Sequence, residues 1–246
     1  MYNTFVTKNF FQDVLTMIIK GLQKTTLLDF PTKVACTVFT PGCNFRCPFC
    51  HNASLVIEPD CSETVDIDAF FSYLKKRKGI LDGVCITGGE PLLQKDIDLF
   101  MRDIRDLGFA VKLDTNGSFP DKLSALIDKK LVDYVAMDIK SSINKYPIVC
   151  GTDKFTDNVV KSVDILMKSN IDFEFRTTVV RELHDKNDFD DIGKWICGAP
   201  RYFLQQFKDS GDLIEKDSFS AYTKEEMEEI LEIAKKYIPS ASLRGV

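Results

Sequence analysis

The 246-residue chain has no stretch of apolar residues approaching the roughly 20 needed to cross a bilayer, which argues against a membrane-spanning helix. It has no basic run interleaved with aromatic side chains, and its formal net charge is -5, so nucleic acid is not an expected partner. The first residues lack a basic segment and a small-residue cleavage site, and Asp13 interrupts the apolar character of Phe5, Phe10 and Phe11, so no targeting signal is expected there. Paired cysteines are missing from most of the chain: Cys36, Cys61, Cys85, Cys150 and Cys197 are scattered singly. Without a secretory signal, these five read as small buried hydrophobes rather than a disulfide framework. The expected setting is cytoplasmic and reducing.

What is present suits one large α/β domain. Apolar residues make up 44% of the chain, enough for a sizeable core in a single unit. From Pro31 onward, short β-branched runs alternate with helical repeats, the pattern of βα units feeding a parallel sheet. The predicted strands are 34–40, 83–87, 110–114, 134–139, 172–180 and 202–207. Between them Ile67, Phe70, Phe71 and Leu74 fall at helical spacing, as do Ile97, Phe100, Met101 and Ile104. A third helix is weaker, around Leu123, Leu126 and Ile127; a fourth carries Val159, Val163, Leu166 and Met167, and a fifth Phe189, Ile192 and Ile196. The last opens with the capping box Thr223-Lys-Glu-Glu226. Right-handed crossovers make six such units curl one way, into a partial (β/α)6, TIM-like barrel of parallel strands. Residues 17–246 are expected to form this single domain, and residues 1–16 a weakly ordered or surplus extension.

Cys43, Cys47 and Cys50 stand in a C-x3-C-x2-C run, and Gly88-Gly89-Glu90-Pro91 begins 38 residues after Cys50. Three thiolates within eight residues supply three corners of a cubic [4Fe–4S] cluster whose full ligation takes four, which leaves one iron open. A structural zinc with His51 as fourth ligand fits poorly, because adjacent Cys50 and His51 diverge. A ferredoxin-type carrier needs a fourth Cys followed by Pro shortly after the third, and Cys61 is too distant and lacks the Pro. The other motifs share a rim with the cysteines, since ligand sites collect at strand C-termini. The cysteine loop follows the first predicted strand and Gly88 to Pro91 the second, while Asp114-Thr115-Asn116-Gly117 and Asp138-Ile139-Lys140 end the third and fourth. Asp138 and Lys140 lie two apart and face the same side of their strand. An internal salt bridge from Lys140 to Asp138 or Asp114 is the alternative to a ligand site there.

The cysteine run, with Phe49 in its aromatic slot, and the downstream Gly-Gly-Glu-Pro resemble the radical S-adenosylmethionine (SAM) superfamily. The resemblance implies a [4Fe–4S] cluster on Cys43, Cys47 and Cys50, whose open iron binds SAM and whose electron cleaves it to methionine and a 5'-deoxyadenosyl radical. It implies SAM contacts at Phe49 and at Gly88, Gly89, Glu90 and Pro91, where glycines let the backbone approach the ligand and carbonyls accept from its ammonium. Likeness to glycyl-radical activating enzymes sets Asp138 and Lys140 at the amino-acid end of SAM, with Lys140 on its carboxylate. The same likeness groups Asp114, Thr115 and Asp138 around a monovalent cation, with Asn116 in the same loop. Thr178 and Gln206 carry over as adenosine contacts, although Phe207 stands where some activating enzymes have His. His51 and His184 are expected to be supporting or surface groups, because hydrogen abstraction by a carbon radical needs no general base.

The run from Gly21 to Asn52, with Met137-Asp138-Ile139-Lys140, resembles the activating proteins of anaerobic ribonucleoside-triphosphate reductase, and the likeness extends from about Met17 to Leu243-Arg244-Gly245. It implies hydrogen abstraction from the α-carbon of a glycine in a partner glycyl-radical enzyme, with a flavodoxin or ferredoxin-type reductant. Activation of pyruvate formate-lyase or another glycyl-radical enzyme is an alternative. So are a small-molecule enzyme such as a 7-carboxy-7-deazaguanine synthase and an iron–sulfur electron carrier.

Overall fold

The computed structural model describes residues 16–57, 63–209 and 211–246. The extension expected over residues 1–16, apart from Thr16, and Cys61 lie outside the described residues. In chain order the elements are β1 (Gly21–Thr26), β2 (Ala35–Thr40), α1 (Ala53–Val56), α2 (Ile67–Lys76), β3 (Gly83–Gly88), α3 (Ile97–Asp106), β4 (Ala110–Thr115) and α4 (Pro120–Asp128). There follow β5 (Tyr134–Asp138), α5 (Tyr146–Cys150), α6 (Thr156–Lys168), β6 (Asp172–Val179), α7 (Lys186–Trp195), β7 (Tyr202–Gln206), α8 (Lys224–Lys235) and β8 (Ser242–Arg244).

The eight strands form one sheet in sequential order, parallel from β2 to β8, with β1 antiparallel to β2. The sheet is an open partial barrel whose edges are β1 and β8. All six predicted strands are present with ends within one residue. The two edge strands were not predicted, for a physical reason. Most of β1, Gly21 to Thr25, is half-exposed or exposed, and β8 is only three half-buried residues, so neither carries a clear burial period.

Alternation along the parallel strands separates two environments. Val111 and Leu113, Val135 and Met137, Phe173 and Phe175, and Tyr202 and Leu204 are buried in the main core with the helices. Residues of the other parity, Lys112 and Asp114, Tyr134 and Asp138, and Glu174 and Arg176, bond to one another across the concave face. Helix α3 shows how the convex side is sealed: Ile97, Phe100, Met101 and Ile104 are all buried, each contributing about 1.5–3 kcal/mol of apolar transfer. The expected capping box at Thr223 and Glu226 starts α8, and Asp185 with Asp188 forms a second at α7. Among the described residues no helix is long and apolar enough to cross a membrane.

Candidate active site

The loop after β2 is held in shape mainly by backbone bonds. Gly42 N–H donates to Leu55 O at 2.7 Å, Cys50 N–H to Cys47 O at 3.0 Å, and Arg46 N–H to Cys150 O at 2.8 Å. The Arg46 guanidinium closes the turn on the carbonyls of Cys43 (2.6 Å) and Phe45 (2.8 Å). Phe45 is buried against Tyr146 and Phe155, which anchors the loop between the cysteines. Cys43, Cys47 and Cys50 then line one cavity of about 260 Å³ at the C-terminal ends of the strands. Among the described residues no group of three or more His, Cys, Asp or Glu could hold a lone metal ion. A cubic cluster asks for a different arrangement, since each thiolate meets a different iron.

Burial pushes the Cys43 thiol up to about 12 and also raises Cys50, while a hydrogen bond with Cys150 lowers Cys47 against the effect of burial. Cysteine ligands bind iron as thiolates, so loading a cluster here releases protons. Two N–H groups already aim at the Cys43 sulfur, from Phe45 backbone at 3.4 Å and the Asn116 amide at 3.7 Å. Cys150, counted from sequence among the scattered cysteines, is buried beside Cys47, a proximity only the fold reveals.

The two glycines at the end of β3 lie hard against β2 and the cysteine loop. Gly88 has φ of +124°, and a Cβ there would sit 2.3 Å from Thr40 O; one on Gly89 would sit 1.9 Å from Gly42 O. The close approach is fixed by bonds from Gly89 N–H to Thr40 O (2.9 Å) and Glu90 N–H to Gly42 O (2.7 Å). The missing side chains thus clear space for the last residue of β2 at Gly88 and for the cysteine loop at Gly89. Both still line the cavity. Asn52 donates to Gly88 O at 3.2 Å from the opposite side.

Glu90 and Pro91 do not reach the cavity lining. Pro91 opens a single 3-10 turn over Pro91–Leu93, and Glu90 is fully buried behind it. Glu90 accepts from Leu92 N–H (3.1 Å), the Thr115 hydroxyl (2.8 Å) and Asn116 N–H (2.7 Å), pinning the β4 loop to the β3 loop. Burial still outweighs these donors and pushes its carboxyl up to about 7. Asn116 in turn spans from Ser118 to Asn44 Oδ1 (3.0 Å) and the Cys43 sulfur.

Across the concave face runs an alternating row of ions: Lys112, Asp114, Arg176, Asp138 and Lys140. Lys112 bonds Asp114 Oδ1, and Arg176 bonds Asp114 Oδ2 at 3.1 Å. Arg176 Nε bonds Asp138 Oδ1 at 2.9 Å, and Lys140 bonds Asp138 Oδ2 at 2.9 Å. The internal Asp138–Lys140 pair weighed from sequence is thus present, whereas Asp114 pairs with Lys112 and Arg176. Burial would raise Asp138, yet Arg176 and Lys140 together hold it down to about 2. Burial likewise opposes charging of Lys140, and the neighbouring Asp138 overcomes it, so the ammonium persists above its ordinary range. All four carboxylate oxygens carry an N–H donor, and the Thr115 hydroxyl is committed to Glu90 and Gly117. A monovalent cation among Asp114, Thr115 and Asp138 would share these oxygens with the ammonium and guanidinium groups already bonded to them.

Lys140 is also fixed through its backbone. Its N–H donates to the Tyr146 hydroxyl at 3.1 Å, and its carbonyl accepts from His184 Nε2 at 2.8 Å. Val180 N–H donates to His184 Nδ1, which assigns the proton to Nε2, and burial keeps the ring neutral. His184 is therefore a support beneath Lys140. His51 lines the cavity and stacks on Phe207.

Phe49, Asp114, Thr115, Asn116, Asp138, Lys140 and Thr178 all line the cavity with the cysteines. Gln206 does not: it bonds Tyr222 O at 2.8 Å, and Gln205 lines the cavity instead. Thr178 pairs with Gln205 in the β6–β7 register, so Gln206 has the wrong parity for the concave face. Lys112 and Arg176 were given no role from the sequence. Their signal was available, as each is a charged residue spaced by two along a strand whose alternate residues are apolar.

A model of the Radical SAM superfamily matches residues 37–196 of the chain. A "putative glycyl-radical enzyme activating enzyme" of Methanocaldococcus jannaschii is 35% identical over 240 residues, covering 93% of this chain and 96% of that protein. A second protein of the same description and organism is 26% identical over 80% of this chain and 76% of its own length. Among solved structures, Streptococcus suis SuiB bound to S-adenosylmethionine superposes with a TM-score of 0.66 at 15% identity. That match covers 83% of this chain and 48% of SuiB, so the chain spans about half of that protein, and the likeness is one of fold.

Proposed function

Because the chain belongs to the radical SAM superfamily, and is an enzyme of that class, we propose that it is a glycyl-radical-enzyme activase whose partner is an anaerobic ribonucleoside-triphosphate reductase. The observation that carries the proposal is the convergence of Cys43, Cys47 and Cys50 with the Asp138–Lys140 pair on one cavity. Three thiols without a fourth from their own loop suit a cluster with one open iron. When bound, the cluster supplies the electron that cleaves SAM to methionine and a 5'-deoxyadenosyl radical.

The chain's own residues do the binding and positioning. Lys140, held by Asp138, Tyr146 and His184, presents an ammonium suited to the SAM carboxylate. Asn116 and the Phe45 amide hold the Cys43 sulfur in place and would tune a cluster bound to it. Phe45, Phe49 and Val56 form an apolar wall that keeps water from a carbon radical. The open rim admits an extended glycine-bearing segment of the partner, and Thr178 with Gln205 borders the adenosine end.

The partner assignment is supported by the sequence likeness over Gly21 to Asn52 and Met137 to Lys140, together with the near full-length match to a relative named as an activating enzyme. A flavodoxin or ferredoxin-type protein would deliver the electron, in a cytoplasmic setting reducing enough to keep the thiols free. The test is product analysis on the anaerobically reconstituted, reduced protein. Formation of 5'-deoxyadenosine, stimulated by the reductase but not by pyruvate formate-lyase or a small-molecule substrate, is the expected result. Stimulation by a different partner would reassign the substrate, and absence of SAM cleavage would return the chain to the electron carriers.

A further inference from the structure

We infer that the ion row supplies from the chain itself the positive charge beside the SAM carboxylate, with Lys112 and Arg176 standing where a monovalent metal cation would otherwise be needed. The inference rests on the SAM-binding reading above and deepens it. It begins with the way the two carboxylates are used. Asp114 and Asp138 present four oxygens, and each is bonded to a nitrogen of Lys112, Arg176 or Lys140. Arg176 bridges the two, its Nη1 on Asp114 and its Nε on Asp138, so the space between the carboxylates is filled by a guanidinium.

Three cations against two carboxylates leave one net positive charge, which suits an incoming carboxylate without help from a metal ion. Of the other acids nearby, Asp29 acts on Cys85 beside Lys112 and accepts from the Thr37 hydroxyl, and two more have donors of their own. Glu174, on the same face of β6, is matched by a two-pronged bond from Arg244 and one from the Tyr134 hydroxyl. Glu90 is occupied by its three donors on the far side of Thr115.

Lys112 is the telling member of the row. It is 2% exposed, and its contacts are Asp114, the Cys85 sulfur at 3.7 Å and the Tyr134 ring face at 6.0 Å. A buried ammonium is an expensive way to brace a strand, since an apolar side chain of similar size packs there without desolvating a charge. Its placement is accounted for if the charge is used by the site. A metal cation bound to Asp114 would share that carboxylate with Lys112 and Arg176, and like charges so placed repel.

The test is equilibrium dialysis of SAM against the anaerobically cluster-loaded protein at fixed ionic strength in potassium, sodium or tetramethylammonium chloride. The expected result is a dissociation constant that varies by less than twofold among the salts. Binding at least tenfold weaker in tetramethylammonium overturns the inference while leaving the SAM-binding reading intact. No retention of SAM in any salt overturns that reading, and the inference with it. In Lys112→Met, Asp114 loses one partner, and SAM should bind at least fivefold tighter in potassium than in tetramethylammonium. Equal binding in the two salts would overturn the role given to Lys112.

Discussion

Glu90 accepts a 2.7 Å hydrogen bond from the backbone N–H of Asn116, so the residue after the two glycines reads the loop that steadies Cys43. Three donors and complete burial make Glu90 a buckle between the β3 and β4 loops.

Its titration gives the first prediction. The folded state raises Glu90 from its ordinary value to about 7, so it favours the protonated form. The stability it contributes is full below about pH 4.5 and is lost as pH rises through about 7, by roughly 3 kcal/mol in total. Urea unfolding of the wild type at pH 5 and pH 8 should show this decline, and Glu90→Gln should flatten it. Equal pH slopes in the two proteins would refute the assignment.

Lys140→Ala removes the one ammonium on Asp138 Oδ2. A charge-assisted hydrogen bond contributes roughly 1.5–3 kcal/mol, so SAM affinity should fall about 10- to 100-fold. Iron content should persist, because no backbone bond of the cysteine loop involves Lys140. Unchanged affinity in a dialysis measurement would move the SAM carboxylate elsewhere.

Gly89→Ala should fail to load iron, since the new Cβ would lie 1.9 Å from Gly42 O in the cysteine loop. Gly21→Ala is the control, as its Cβ meets nothing closer than Phe39 at 3.5 Å and its effect should stay within about 0.5 kcal/mol. Full iron loading of Gly89→Ala by colorimetric assay would show that the loop can yield.

Cys150→Ala separates a three-cysteine site from a four-cysteine one. Cys150 lies beside Cys47, close enough to share a hydrogen bond, and could close the fourth corner of a carrier cluster. With three ligands, iron per chain and SAM binding should be unchanged in the variant. A loss of half the iron or more would support the carrier.

Much of this was legible in the sequence because it is local. Each strand from Ala35 to Gln206 carries apolar residues toward the core, and the cysteine spacing needs no tertiary context. β1 and β8 escaped because edge strands bury too little to imprint a period. The glutamine pair 205–206 is ambiguous along the chain because a one-residue step inverts the face, and only the register with Thr178 puts Gln205 on the cavity. The bonds from Arg176 to Asp114 and Asp138 depend on three strands lying side by side, and the meeting of Cys47 with Cys150 on a folded-back helix. Neither is encoded in spacing along the chain.

The most direct test of the account is electron paramagnetic resonance on the reduced, cluster-loaded protein mixed anaerobically with SAM and the anaerobic ribonucleotide reductase of the same source, with Cys47→Ala as control. The account predicts a glycyl-radical doublet on the reductase that is absent with the variant. A doublet that survives Cys47→Ala, or no doublet while 5'-deoxyadenosine accumulates, would contradict it.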